Sequence, residues 1–241
     1  MEDLKKLPAI FILSTLLIFT ITACGEEEEI PPSPYLKDLI SVQDAEVWIH
    51  NWNNPLIISS EYYRSKGTST IDGIIRNPGG VEECIGSSTG ELTDGILNIS
   101  CGELLASELL GWNDWKKYFR EWDKVTIDDE ETKANVLWIK HEGVSTNPYL
   151  NKEKMSGSYD SLWLESIIFL YVEKDCHIEG VHGKRGYKNG DSFYESAADL
   201  DLDLRKGWNT LCRKQALVAG NGSEYLSIEL KNPDDFIWVL Y

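Results

Sequence analysis

Apolar and polar residues alternate at period two along much of the chain. Trp48-Ile49-His50-Asn51-Trp52 alternates until Asn53-Asn54-Pro55 breaks it. Leu97, Ile99 and Cys101 recur at every second position after the hairpin signal Thr93-Asp94-Gly95. Leu200, Leu202 and Leu204 interleave with Asp199, Asp201 and Asp203 ahead of a turn at Gly207. Period two places alternate residues on opposite faces of a strand, and an Asp-Gly pair supplies the positive φ angles of a tight hairpin. Further strand signals fall at 70–76, 81–85, 124–127, 136–139, 162–172, 178–182, 210–213, 225–230 and 236–241. Short strands separated by turns about every ten residues are the pattern of a sandwich. The expected fold is therefore all-β, an antiparallel β-sandwich over 41–241, either as one body or as two packed halves, 41–142 and 160–241. The exception is 103–122, where Leu105, Leu109, Trp112, Trp115, Phe119 and Trp122 recur at spacings of three and four. That spacing predicts a short helical insertion whose aromatics serve as core.

The amino terminus is organised differently. Lys5 and Lys6 precede an apolar run from Ala9 to Thr22, too short for a bilayer core, which needs about twenty residues, but suited to a secretory signal. Ile21-Thr22-Ala23-Cys24 follows and resembles the lipobox of bacterial lipoproteins. The resemblance implies cleavage after residue 23, diacylglycerol on the Cys24 sulfur and an acyl chain such as palmitate on the new amine. Two or three chains hold a protein on a membrane, because each buried methylene contributes about 0.8 kcal/mol. Residues 24–40 then read as a lipidated tether, acidic at Glu26 to Glu29 and stiffened by Pro31, Pro32 and Pro34. Gly25, in place of the Asp that retains such proteins, resembles cargo released to the outer membrane. Either face of that membrane remains open. The segment Asp199 to Asn209 also resembles the last hairpin of exported bacterial lipoproteins to which no activity attaches.

Charge narrows the partners. With 23 Lys plus Arg against 40 Asp plus Glu, the net charge of −17 excludes nucleic acid, whose recognition needs clustered cations. Setting Cys24 aside for lipid leaves Cys84, Cys101, Cys176 and Cys212 of the five cysteines, an even number in an oxidising compartment. The expected pairs are Cys84–Cys101 and Cys176–Cys212, each within one half of the chain.

Catalytic motifs are missing. Gly86-Ser87-Ser88-Thr89-Gly90 is not a nucleophile elbow, and no phosphate-binding loop, dinucleotide fingerprint or zinc-protease motif occurs. His50, His141, His177 and His182 lack the spacing of a metal pair, and Asp199, Asp201 and Asp203 read as a solvated face rather than a calcium site. No cofactor and no metal are expected. One ligand-binding candidate stands out: Trp48, His50 and Trp52 share a face if extended, with Asn51, Asn53 and Asn54 beside them. Flat rings stack on sugar C–H faces while amides bond hydroxyls. The expected function is a lipid-anchored envelope protein with a non-enzymatic binding or structural role at the outer membrane, taking a protein or glycan ligand. The alternative is an envelope glycan hydrolase whose carboxylates no motif reveals.

Overall fold

A computed structural model describes residues 36–37, 39–50, 58–62, 67–116, 125–142, 149–158, 161–188, 191–218 and 222–240. Cys24, the tether up to residue 35, Asn51, Trp52, Asn53 and Asn54 lie outside these residues. The first strands are β1 (Leu36–Lys37), β2 (Ile40–His50), β3 (Ile58–Tyr62), β4 (Thr68–Arg76), β5 (Glu82–Cys84), β6 (Ser88–Thr93) and β7 (Ile96–Cys101). After a 3-10 turn come β8 (Leu110–Gly111), the one-turn helix α1 (Trp112–Trp115), β9 (Val125–Ile127), β10 (Lys133–His141), β11 (Tyr149–Ser158) and β12 (Ser161–Val172). The chain ends with β13 (Cys176–Lys188), β14 (Asp191–Leu204), β15 (Gly207–Val218), β16 (Gly222–Leu230) and β17 (Ile237–Leu240).

The molecule is nearly all β, with 69% strand and 6% helix, but it is not a sandwich. Eight strands close into a barrel, paired in the cycle β4–β10–β12–β11–β17–β2–β7–β6 and back to β4. Two pairings convert open sheets into this ring. Trp138 to His141 of β10 run antiparallel to Ile71 to Ile74 of β4, and Trp238 to Leu240 of β17 run parallel to Val47 to Ile49 of β2. Both join segments far apart in sequence. Period-two alternation is identical in a sandwich and a barrel, since each has one inward face, so the pattern could not distinguish them. Closure leaves the barrel strands fewer free edges than an open sandwich would.

The barrel wall is buried on both faces where it carries a second layer. Inside, Leu137, Ile139, Ile167, Phe169, Tyr171, Trp208 and Trp238 pack with Ile71, Leu92, Leu97 and Ile99. Outside, Val136, Leu170, Val172 and Leu211 pack against Ile178, Leu200, Leu202 and Leu204 of a separate three-stranded sheet, β9–β13–β14. Hence the run from Leu162 to Val172 is apolar at nearly every position: β12 serves two cores at once. Residues 34–241 form one compact unit. Within the described part of the expected helical insertion, helix is confined to the 3-10 turn Ala106–Glu108 and to α1, whose Trp112 and Trp115 are buried in the outer core with rings edge to face at 4.5 Å; Phe119 and Trp122 lie outside the described residues.

The hairpin expected at Thr93-Asp94-Gly95 joins β6 to β7, with φ of 51° at Asp94 and 86° at Gly95. The disulfides expected at Cys84–Cys101 and Cys176–Cys212 are not formed; all four are free thiols. Cys101 points into the barrel, its Sγ 3.5 Å from Ser88 Oγ, whereas Cys84 is exposed on the edge strand β5. Cys176 belongs to the outer core and Cys212 to the inner one, so the barrel wall separates them. Burial pushes both of these thiols up to about 12.

Candidate functional site

An open groove of about 460 Å³ crosses the outer wall of the barrel over β2, β7 and β6. Alternation builds it. Ile40, Leu92, Leu97, Ile99 and Cys101 point into the core, so Ser41, Gln43, Thr89, Glu91, Asn98 and Ser100 point out and line the groove. Strand register sets these side chains in two rows. Thr89 pairs with Ser100, and Ser100 with Ser41, giving a row of three hydroxyls. Two residues further along, Glu91 pairs with Asn98, and Asn98 faces the bulged segment Gln43–Asp44. Neighbouring strands lie about 4.8 Å apart and alternate residues about 6.8 Å apart, which sets the mesh of this polar lattice.

The bulge occupies the centre of the second row. Val42 pairs with Ile99 and Ala45 with Leu97, so Gln43 and Asp44 together oppose the single residue Asn98. An inserted residue turns its strand and re-aims neighbouring side chains, a device common beside binding sites. Asp44 adopts a left-handed conformation, φ 51°, and its N–H donates to Asn98 Oδ1 at 2.9 Å. Aspartate tolerates that region better than most residues. On the other side of β7, Gly90 pairs with Ile99 and comes so near it that a Cβ would sit 3.0 Å from Ile99 Cγ1 and 2.9 Å from the Ile71 carbonyl oxygen. Glycine thus lets β6 press close to β7 and β4 on the inner face of the wall.

Two other charged clusters on the barrel are neutralised from within. On β5, Glu82 accepts hydrogen bonds from Lys140 Nζ at 2.8 Å and from Tyr149 Oη, with the Arg76 guanidinium 3.8 Å away. Lys140 first, then Tyr149, hold the Glu82 carboxyl below its usual range. Arg76 in turn lies over the Trp138 ring, 4.9 Å from its centre. This network fastens the edge strand β5 to β10 and β11. Where the inner core ends, Glu165 takes Lys231 at 3.0 Å and Lys214 at 3.9 Å. Those lysines cover Phe236 and Trp163 at 5.5 Å and 5.1 Å. Asp44 and Glu91 differ: no described cation pairs with either.

The expected aromatic platform falls only partly within the described residues. Trp48 lies on β2 beyond the bulge, half-buried and paired with Val239 of β17, while Trp52 is outside the description. The groove residues form no motif in the sequence, and a single signal marks them. Apolar alternation runs through Ile40 and Val42, then slips by one residue to Ala45 and Val47, and such a slip marks a bulge. Among the described residues no group of three His, Cys, Asp or Glu side chains is arranged to hold a metal ion. No protein-family model, curated protein or solved structure matches this chain, so the chemistry of the groove rests on its own residues.

Proposed function

We propose that the protein is a lipid-anchored component of the bacterial envelope that binds a hydroxyl-rich glycan in the outer-wall groove without transforming it. The observation that carries this reading is the pair of cross-strand rows, Thr89–Ser100–Ser41 and Glu91–Asn98–Asp44. Hydroxyl, amide and carboxylate groups on a rigid mesh donate to and accept from sugar hydroxyls. The floor strand β7 is paired on both edges, to β2 and to β6, and so offers side chains rather than free backbone groups. A peptide that gains affinity by extending a sheet finds no ladder there. The lipobox residues Ile21-Thr22-Ala23-Cys24 support the anchoring half of the proposal.

The test is calorimetric titration of the full chain in detergent micelles with a panel of envelope and host oligosaccharides, with product analysis of each mixture. Binding without turnover, weakened at least tenfold by Ser100→Val and Asn98→Ala together, is the expected result. Turnover of any member would move the protein to the hydrolase alternative. Failure of the whole panel to bind would end the glycan reading.

A further inference from the structure

We infer that one rim of the barrel lies against a zwitterionic lipid surface, with Leu39, Val81 and Leu105 as the side chains that enter it. This rests on the lipid-anchor half of the proposed function and adds to it which part of the folded chain meets the membrane. Leu39, Val81 and Leu105 are the exposed large hydrophobic residues among those described, at 45%, 60% and 64%. One exposed aliphatic residue is ordinary on a protein surface, but three gathered on one edge mark an interaction site.

Strand register gathers them. Leu39 precedes Ile40, which pairs with Cys101 at the end of β7, and Leu105 follows Cys101 in the next connection. Because β4 runs antiparallel to β6, it ends with Arg76 at the same rim, and Val81 lies in the turn beyond it, its carbonyl accepting from Asn77 N–H. Buried Asn135 ties two of these connections together, since its Nδ2 donates to the Arg76 carbonyl at 3.0 Å and to the Glu108 carbonyl at 2.7 Å. Trp208 ties in the third: its Nε1–H donates to the Gly102 carbonyl, and its backbone pairs with Lys37 just ahead of Leu39. Glu108 turns its carboxylate back onto the rim, accepting from the N–H groups of Leu105 at 2.6 Å and Gly86 at 3.2 Å. Connections braced in this way hold their apolar side chains out rather than folding them away.

The same rim receives the chain from the tether. Residues 25–35 separate Cys24 from Leu36 and reach about 40 Å at full extension. β2, with 11 residues, runs about 36 Å along its length from this rim to the opposite one. Bringing the opposite rim to the lipid would use nearly the whole tether, whereas this rim needs almost none of it. The net charge of −17 is repelled by anionic headgroups, which selects a zwitterionic surface.

The experiment reconstitutes the full chain into phosphatidylcholine vesicles whose acyl chains carry bromine, a contact quencher. A bimane dye is placed on Leu105→Cys or, for comparison, on Glu91→Cys in the groove, both in a Cys84→Ser background that removes the exposed thiol. The expected result is quenching at least about threefold stronger at position 105 than at 91, as burial in the acyl boundary requires. Leu39→Ser and Val81→Ser together should at least halve the quenching at 105, and an unchanged urea midpoint shows that the variant is folded. Equal quenching at both positions, or none at 105 in protein that floats with the vesicles, would overturn the inference and leave the lipid anchor standing. Quenching at 105 that the two serines do not alter would also overturn it, because the tether alone would then account for proximity. Protein that does not float with the vesicles would end the anchor reading and this inference with it.

Discussion

The backbone N–H of Asp44 donates to Asn98 Oδ1 at 2.9 Å, and this bond stabilises the bulge that breaks the regular ladder between β2 and β7. Asp44 sits at φ 51°, a conformation that costs an L-residue about 1–2 kcal/mol. Removing the acceptor by Asn98→Ala should therefore lower stability by about 1 kcal/mol, the net worth of one hydrogen bond. Asp44→Val should cost about 1–2 kcal/mol, because a β-branched side chain fits the left-handed region poorly. Asp44→Gly should be close to neutral. Urea unfolding of the three variants checks the order.

Trp208 ties two distant parts of the barrel. Its ring is fully buried, stands edge-on to Tyr171 at 5.2 Å, and its Nε1–H donates to the Gly102 carbonyl at 2.9 Å. Trp208→Ala should cost about 3–5 kcal/mol. Trp208→Phe retains most of the apolar contact but leaves the Gly102 carbonyl without this donor, and should cost about 1–3 kcal/mol. A thermal melt in which Trp208→Ala unfolds within a degree of the unchanged chain would contradict the packing described.

Two histidines should oppose one another as pH changes. His177 Nδ1 lies 2.9 Å from Asp203 Oδ1, and its Nε2 lies 3.8 Å from Asp201 and 3.9 Å from Glu179. The hydrogen bond to Asp203, joined by the neighbouring carboxylates, raises its pKa above 6.5. A raised folded-state pKa stabilises below the unfolded value, and that contribution is lost as pH rises through the folded value. Burial lowers the pKa of His141, so its effect has the opposite sign: stability is lost as pH falls through the unfolded value near 6.5. His177→Gln should lower the melting temperature at pH 5.5 and leave it almost unchanged at pH 9. An equal loss at both values would show that His177 acts through packing alone.

The thiols provide a sharp contrast in reactivity. Cys101, Cys176 and Cys212 are buried and Cys84 is exposed. Alkylation of the native protein without reductant should modify Cys84 alone among these four, and slowly, because burial first and then Asp72 and Glu142 raise its pKa. The same reaction in denaturant should modify all four. Peptide mapping that recovered a Cys84–Cys101 or Cys176–Cys212 bridge would overturn the free-thiol arrangement.

The anchor has its own test. Cys24→Ser removes the sulfur that the lipobox presents for acylation, so the variant should move from the detergent phase to the aqueous phase, or accumulate as precursor. Unchanged partitioning into detergent would remove the lipid-anchor proposal.

What the sequence alone determined is local. Alternation at Leu97, Ile99 and Cys101 and at Leu200, Leu202 and Leu204 specified strands and their inward faces, because a strand buries every second residue wherever it lies. Asp94-Gly95 specified a hairpin through backbone conformations that few other pairs adopt. The Lys-Gly-Trp-Asn turn also proved local in logic: Gly207 takes φ 103°, and Asn209 Nδ2 donates back to the Arg205 carbonyl at 2.8 Å. The tertiary structure decided which strands meet. Pairing of β10 with β4 and of β17 with β2 closes a barrel, and no period-two pattern encodes a partner. The same non-local choice put Cys176 and Cys212 on opposite sides of one wall and kept Cys84 away from the inward-facing Cys101. It also assembled the groove, for Ser41, Thr89 and Ser100 are unremarkable in the chain and form a row only once β2 and β6 flank β7.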